Sequence, residues 1–335
     1  MLRVAVLGCG RIGRMHARNV AAHPRASLAA VYDIHRPSAE EVAKALGVKA
    51  AETPQAIFSS PDIDAVLVAT STETHSDYIE QAVAAGKPVL CEKPIDLSLA
   101  RVNRCAEAIK GSKVPVQIGF NRRFDPGHRA LWKSVRAGDI GDLHQVIITS
   151  RDPAMPPRSY YEVAGGLFRD MTIHDFDLAR FMLGEEPVDV FAIAGRQIDP
   201  AMMNELGDSD SAMVIMRTAS GRQCHINNHR QAVYGYDQRV ECQGTAGMAL
   251  SDNRKPHEMR RHAEAFTGQA APYLNFFIER YSEAFNAELS AFVDAIEKGR
   301  PPEVGFDDGR RALILAEAAM KSVAERRIVK VSEIG

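Results

Sequence analysis

The stretch RVAVLGCGRIG, residues 3 to 13, restricts the possible folds of this chain more than any other. Residues 3 to 7 are a short, mostly apolar run of the kind that forms a strand buried in a parallel sheet. Gly8, Gly10 and Gly13 follow at once in G-x-G-x-x-G spacing, and a helical stretch with Met15, Val20 and Ala21 comes next. Each glycine has a mechanical reason: a tight turn, close approach of backbone to a pyrophosphate, and close packing of helix on strand. The N–H groups at the helix start then face the phosphates. Gly8, Gly10, Arg11, Ile12 and Gly13 are therefore candidates to cradle a dinucleotide. A second apolar run, SLAAVYD, ends at Asp33, twenty residues past Gly13. An acid at that distance accepts hydrogen bonds from the adenosine ribose. A carboxylate there repels a 2′-phosphate, which favours NAD over NADP, although Arg36 is near enough along the chain to serve a phosphate. The alternative is a structural glycine turn with Asp33 capping a helix.

The alternation continues. Strands are expected at 64–70, 88–94 and 114–120, and helices at 74–86 and 98–110. Strands that alternate with helices give a parallel, doubly wound Rossmann sheet. Ligands bind beyond the carboxyl ends of such strands. Thr70, Ser71, Glu92, Lys93 and Asn121 fall at those ends, and His75 opens the helix after Ser71. All six are candidates to contact the cofactor. Lys93 stands between Glu92 and Pro94, and a proline restricts the backbone before it. That placement suggests an ammonium fixed at the ligand edge, against the alternative of an idle surface lysine.

After Phe120 the pattern changes. A loop, NRRFDPGH, and a helix near 129–137 precede strands at HQVIITS, VDVFAIAG, SAMVIMRT, QCHINNHR and RVECQG. Successive strands with short turns mean a mostly antiparallel sheet. Helices are expected at about 275–298 and 307–325, with IVKV as an edge strand. The expected organisation is a Rossmann domain over 1–120 and an α+β domain over 121–335. One face of the second sheet is expected to pack on helices and the other to make a subunit contact. The 335 residues carry a formal net charge of -2, which gives no reason to expect nucleic acid or an anionic membrane as partner. No apolar run approaches the roughly 18 residues needed to span a bilayer. The first apolar run, broken by glycine, reads as a strand and not as a signal peptide. Five scattered cysteines without a CxxC pair suit reduced thiols in the cytoplasm.

GGLFRDMTIHDFDLARFML, residues 165–183, reads as a helix, yet Asp170, His174 and Asp177 sit at i, i+4 and i+7. That spacing puts all three on one face. Oxidising a secondary alcohol with NAD needs a base for the hydroxyl proton, a donor for the developing alkoxide, and both held on the reacting carbon. Histidine suits the base, and Lys93 suits the donor. Asp170 can hydrogen-bond the imidazole or a substrate hydroxyl, and Asp177 another hydroxyl. Arg122 can reach substrate or cofactor, and Asp152 and Tyr236 are further candidate substrate contacts. The alternative is a helix whose stripe meets water. A second polar arc, Thr172 and Asp175, lies opposite, so spacing alone leaves open which arc is solvated. A metal site is not expected, because His-x-x-Asp on one helix offers two ligands at most.

Together GCGRIG, EKP at 92–94, GFNRRFD at 119–125 and GGLFRDMTIHDFD resemble the Gfo/Idh/MocA oxidoreductase family over nearly the whole chain. SRDP, INN, YGYDQR and FFIERY are similar to its inositol 2-dehydrogenase branch. The resemblance implies a Rossmann domain with an α+β partner domain, NAD as cofactor, and a homodimer or homotetramer. It implies oxidation of the 2-hydroxyl of myo-inositol to a ketone, with Lys93, Asp170 and His174 as catalytic residues. One departure is Thr70-Ser71, where the family has Thr-Pro, which loosens the expected geometry of that loop and keeps a hydroxyl near the nicotinamide ribose. Other readings are a dehydrogenase of another cyclic polyol, sugar or nucleotide sugar, and a dinucleotide-sensing protein without chemistry. A sensor needs none of Lys93, Asp170 and His174, and their joint presence argues against it.

Overall fold

In the computed structural model, which describes residues 1–335, the opening apolar run forms β1 (Leu2–Leu7), and the glycine turn leads into α1 (Arg11–Ala22). The chain continues through β2 (Ala26–Tyr32), α2 (Arg36–Leu46), β3 (Lys49–Ala50), α3 (Pro54–Phe58) and β4 (Ala65–Val68). It goes on through α4 (His75–Ala84), β5 (Val89–Cys91), α5 (Leu99–Ala108) and β6 (Val116–Ile118). These six strands make one parallel sheet in the order β3-β2-β1-β4-β5-β6. Val4, Val6, Ala65, Leu67 and Leu90 are buried in it, as strands covered on both faces require. Two glycines make the first crossover possible. Gly8 has φ +99°, and a Cβ built on Gly13 would lie 1.9 Å from the Gly8 carbonyl oxygen. Helix α1 therefore sits on β1 at a distance that only hydrogen at position 13 permits.

The second half begins with α6 (Pro126–Ala137), where Asp125 caps the helix by accepting the N–H groups of Gly127 and His128. Then come β7 (Leu143–Arg151), α7 (Arg158–Ala164), a π-helical turn at Phe168–Thr172, and α8 (Ile173–Leu183). The remainder is β8 (Pro187–Gly195), α9 (Pro200–Leu206), β9 (Ser211–Thr218), β10 (Gln223–His229), β11 (Asp237–Gly244) and β12 (Met248–Ser251). A small hairpin, β13 (Arg260–Ala263) with β14 (Phe266–Ala270), precedes α10 (Phe277–Arg280), α11 (Ser282–Glu297), α12 (Phe306–Glu325) and β15 (Val329–Lys330). Seven strands form the sheet β12-β11-β7-β10-β9-β8-β15, antiparallel except for the parallel pair β7 and β10. Helix α8 packs against β7 and β10. Strand β9 shows why one face is covered. Ala212, Val214 and Met216 are buried, whereas Met213 and Ile215 alternate with them at 48% and 55% exposure.

The chain divides into residues 1–121 with 283–313, and residues 122–282 with 314–335. The second domain expected over 121–335 thus differs from the observed unit at Asn121 and at residues 283–313, both of which belong with the Rossmann sheet. Leu289, Phe292 and Val293 of α11 share a core with Val4, Val6, Leu67 and Leu90. Periodicity shows that α11 has an apolar face but not which sheet that face covers.

Gly13→Ala should destabilise the fold by at least the about 1–3 kcal/mol typical of overpacking, because the atom it meets is backbone. Gly10→Ala should leave the unfolding midpoint unchanged, since a Cβ there meets nothing within 4 Å. Urea unfolding of both variants checks the contrast. Equal midpoints for the two would refute this account of the turn.

Candidate active site

Gly10 precedes α1 with φ −71°, and no side chain caps the helix start. Its Cβ side is open, so backbone N–H groups and clear space coincide where a pyrophosphate would lie. Asp33 is fixed at the end of β2: one carboxylate oxygen accepts the Cys9 N–H at 2.6 Å and the other the His35 N–H at 2.8 Å. These bonds leave further lone pairs for ribose hydroxyls. Arg36 is turned to other work, donating to Glu40 at 2.8 Å and to the Ala51 carbonyl at 3.3 Å. Among the other candidates on this loop, Arg11 is exposed and Ile12 half-buried. The residues present fit an NAD cofactor.

At the next strand ends, the Thr70 hydroxyl lies 2.6 Å from that of Thr74, which donates to the Ser71 carbonyl at 2.8 Å. Ser71 is exposed and Asn121 is buried. His75, for which the sequence leaves a structural and a cofactor role equally open, is buried and bonded at both ring nitrogens. Its Nδ1 lies 2.8 Å from the Pro94 carbonyl oxygen and its Nε2 lies 3.1 Å from that of Thr70. Burial holds its imidazole below the ordinary histidine range. The ring ties the end of β4 to the loop that carries Lys93. Glu92 serves the same loop: Oε1 lies 2.7 Å from His16 Nε2, and Oε2 accepts the Lys93 N–H at 3.3 Å.

In the second unit the π-helical turn carries Asp170. The Tyr160 hydroxyl donates to Oδ1 at 2.7 Å, and Arg230 Nη2 donates to Oδ2 at 2.8 Å. Arg230 is buried and also donates to Asp152 at 2.9 Å. Its guanidinium stands 5.5 Å from the centre of the Tyr161 ring. Burial pushes the Asp152 carboxyl up, against the pull of Arg230. Burial and the neighbouring Asp170 push the Tyr160 phenol up, so it stays protonated and able to donate. His174 follows Asp170 by four residues and is half-buried. Asp152 and Asp170 are thus brought together by Arg230, with Tyr160 steadying Asp170, and sequence reasoning missed both. The available signal was INNHR, where a strand ends on a cation in a domain with acids to neutralise.

Asp177 has a different environment from the one expected. It is buried, Arg123 grips it with Nε donating to Oδ2 at 2.7 Å, and Arg180 Nη1 stands 3.5 Å away. The opposite arc is buried as well. Asp175 forms an ion pair with Arg122 and accepts Asn228 Nδ2 at 2.8 Å, while Thr172 donates to Asn228 Oδ1 at 2.7 Å. Arg122 also donates to Ser150 at 3.2 Å and to the Tyr236 hydroxyl at 3.4 Å. Of Asp170, His174, Asp177, Thr172 and Asp175 only His174 is partly exposed, so neither arc lies open to water. Arg122, Asp177 and Tyr236, expected to contact substrate, have buried partners inside the second unit. The physical reason is that α8 packs on β7 and β10 on one side and on α6 on another.

A model of the oxidoreductase family with an NAD-binding Rossmann fold matches residues 2–120, and a model of the Gfo/Idh/MocA C-terminal domain matches residues 128–250. The chain is 46% identical over 334 residues to an inositol 2-dehydrogenase of Rhizobium meliloti, covering 99% of each chain. It is 43% identical over 338 residues to a myo-inositol 2-dehydrogenase of Thermotoga maritima, again covering 99% of each. A crystal structure of scyllo-inositol dehydrogenase from Lactobacillus casei with bound NAD(H) and scyllo-inositol superposes with a TM-score of 0.92 at 30% identity, covering 99% of both chains.

Asp177→Asn should lower stability by about 3–5 kcal/mol, the usual effect of breaking a buried ion pair from one side. Urea unfolding checks it. A variant of unchanged stability whose KM for substrate rises would return Asp177 to the substrate site.

Proposed function

The chain belongs to the Gfo/Idh/MocA oxidoreductase family, and we propose that it oxidises the 2-hydroxyl of myo-inositol to the ketone with NAD. The observation that carries this reading is Asp170, fixed at both oxygens by Tyr160 and Arg230, four residues before His174. A polyhydroxy ring has to be held at several hydroxyls, since each unpaired buried polar group costs about 1–3 kcal/mol. Rigid, already oriented polar groups suit that task.

Gly8, Gly10, Arg11, Ile12, Gly13, Asp33, Thr70, Ser71, Glu92 and Asn121 would hold the cofactor, with His75 supporting them from behind. When bound, NAD accepts the hydride from the reacting carbon. Lys93 donates to the hydroxyl oxygen and stabilises its developing charge. His174 takes the hydroxyl proton. Asp170 orients the imidazole or a neighbouring hydroxyl. Asp152, on the same arginine, is placed to bind another. Arg122, Asp177 and Tyr236 keep the second unit's interior in register, and their effect on substrate is indirect.

The outward face of the seven-stranded sheet presents Ile147, Ile193, Met213, Ile215, Met248 and Leu250. These apolar side chains share the face with His225, Asn227 and Glu241 of the strands between them; a mixed face with exposed apolar anchors suits an interface, and we assign it to self-association as a dimer or tetramer. All five cysteines are buried and free, and no helix is long and apolar enough to cross a membrane. We place the enzyme in the cytoplasm, where thiols stay reduced.

The test is NADH formation across myo-inositol, scyllo-inositol and aldoses. The highest kcat/KM is expected on an inositol, with NAD far better than NADP. Activity confined to aldoses would overturn the substrate reading. Lys93→Ala should lower kcat by about 10²–10³, the usual worth of a preorganised charge donor, and His174→Ala should remove the rise of kcat/KM with pH that a histidine base gives. Both should leave NAD affinity intact.

Ile215→Lys should shift the enzyme to a smaller species in sedimentation velocity. An unchanged mass for that variant would move the interface elsewhere.

A further inference from the structure

Inside the Rossmann unit lies a group of polar atoms with no part in the chemistry above. His16 Nδ1, Gln117 Oε1 and both carboxyl oxygens of Glu288 are buried without a hydrogen-bond partner in the protein. Glu288, on α11, is 0% exposed. Gln117 Nε2 donates to its backbone carbonyl at 3.1 Å. Phe285, three residues earlier and on the same helix face, stands edge-on to His16 with ring centroids 5.6 Å apart. His16 in turn meets Glu92 at 2.7 Å, and Glu92 accepts the Lys93 N–H. A Cβ on Gly119 would sit 3.0 Å from Glu92 Oε2, so that glycine leaves the carboxylate its space. Helix α1, the end of β5, β6 and α11 thus converge on Glu92.

Glu92, from the end of β5, is the charge that acts on the Glu288 carboxyl; the uncharged Gln117 of β6 reaches its backbone, and His16 of α1 packs on Phe285 of the same helix face. Burial, with Glu92 adding like-charge repulsion, pushes the Glu288 carboxyl well above the ordinary range. No guanidinium or ammonium offsets it. A neutral carboxyl has one O–H to donate and keeps acceptor capacity, and the cluster is rich in acceptors. One ordered water with two to four polar partners is ordinary in such a place.

We propose that Glu288 is a proton-carrying positioning residue. Its O–H, given directly or through a water to the Glu92 and Gln117 acceptors, fixes the Glu92 carboxylate and so the main chain of Lys93. The activity readout rests on the role assigned to Lys93; the proton readout does not.

Thermal unfolding of the full chain and of E288Q across pH reads the proton. A carboxyl raised in the folded state contributes fully below its unfolded value, about 4.3, and loses that contribution as pH rises toward the folded value. Glutamine has no proton to lose. The Tm of E288Q is expected to gain steadily on wild type as pH rises above the unfolded value. A gap that does not change with pH overturns the proposal. Infrared spectra at neutral pH should show a carboxylic C=O band that E288Q lacks. Steady-state kinetics read the positioning. E288L should lose kcat and, because Glu92 is among the residues assigned to the cofactor, raise the KM for NAD, and E288Q should keep wild-type values of both. A folded E288L with wild-type kcat overturns the positioning role. If E288L does not fold, loss of kcat in a folded E288Q does the same. Should the chain prove inactive on inositols, the unfolding and infrared arms still decide on the proton, so the two failures are distinguishable.

Discussion

Three carboxylates on one helical segment, Asp170, Asp175 and Asp177, are buried, and each must meet a cation or be driven neutral. An unpaired buried charge costs far more than a fold of this kind has to spare. The cations come from distant points in the chain: Arg230 from the end of β10, and Arg122 and Arg123 from the turn that follows β6. That requirement locks the helix, the sheet beneath it and the interdomain turn into one register. It explains why a helix with charge on two arcs is covered on both. Ser150, Asn228, Tyr236 and Thr172 complete the pairing around Asp175 and Arg122.

In the Rossmann unit the governing constraint is steric. Hydrogen at Gly13 and the positive φ of Gly8 set the crossover, and an uncapped helix start faces open space at Gly10. The strand ends are then tied to one another by side chains from the helices. His75 joins the loop after β4 to the loop after β5, and His16 joins α1 to Glu92. Lys93 therefore leaves the sheet on a loop whose backbone is held from two sides. In the proposed reaction, preorganisation of this sort would let a single ammonium act on a developing charge without first rearranging.

Much of this was legible in the sequence because the signals are local. The glycine spacing, the strand-helix alternation and the five long strands of the second sheet fall where periodicity and turn residues put them. What was not legible depends on partners far apart in the chain. The apolar face of α11 is local, but its choice of the Rossmann sheet is not. The short elements β3, α3, α7 and α9, and the hairpin of β13 and β14, carry too few residues for a period to show. Asp177 had the right spacing for a site, yet spacing names a face and not the neighbour that fills it. The π-helical turn at Phe168–Thr172 is equally invisible to a 3.6-residue template. Such turns are frequent at functional sites.

The way the acids are matched distinguishes structure from chemistry more clearly than their positions do. Asp175 has its own guanidinium, and Asp177 has Arg123 with Arg180 beside it; both carboxylates are neutralised, and a neutral pair deep in a fold has little left to offer a reaction. Asp152 and Asp170 are both met by Arg230, and the Tyr160 hydroxyl donates to Asp170 as well. Arg230 thus holds two carboxylates at once, and Asp170 stands one helical turn before His174. Under the proposed reaction His174 gains a proton as the hydroxyl loses it, and nearby negative potential stabilises the imidazolium formed. In that reaction the carboxylate one helical turn before His174 is the group that favours the charged ring, and Tyr160 and Arg230 keep it oriented.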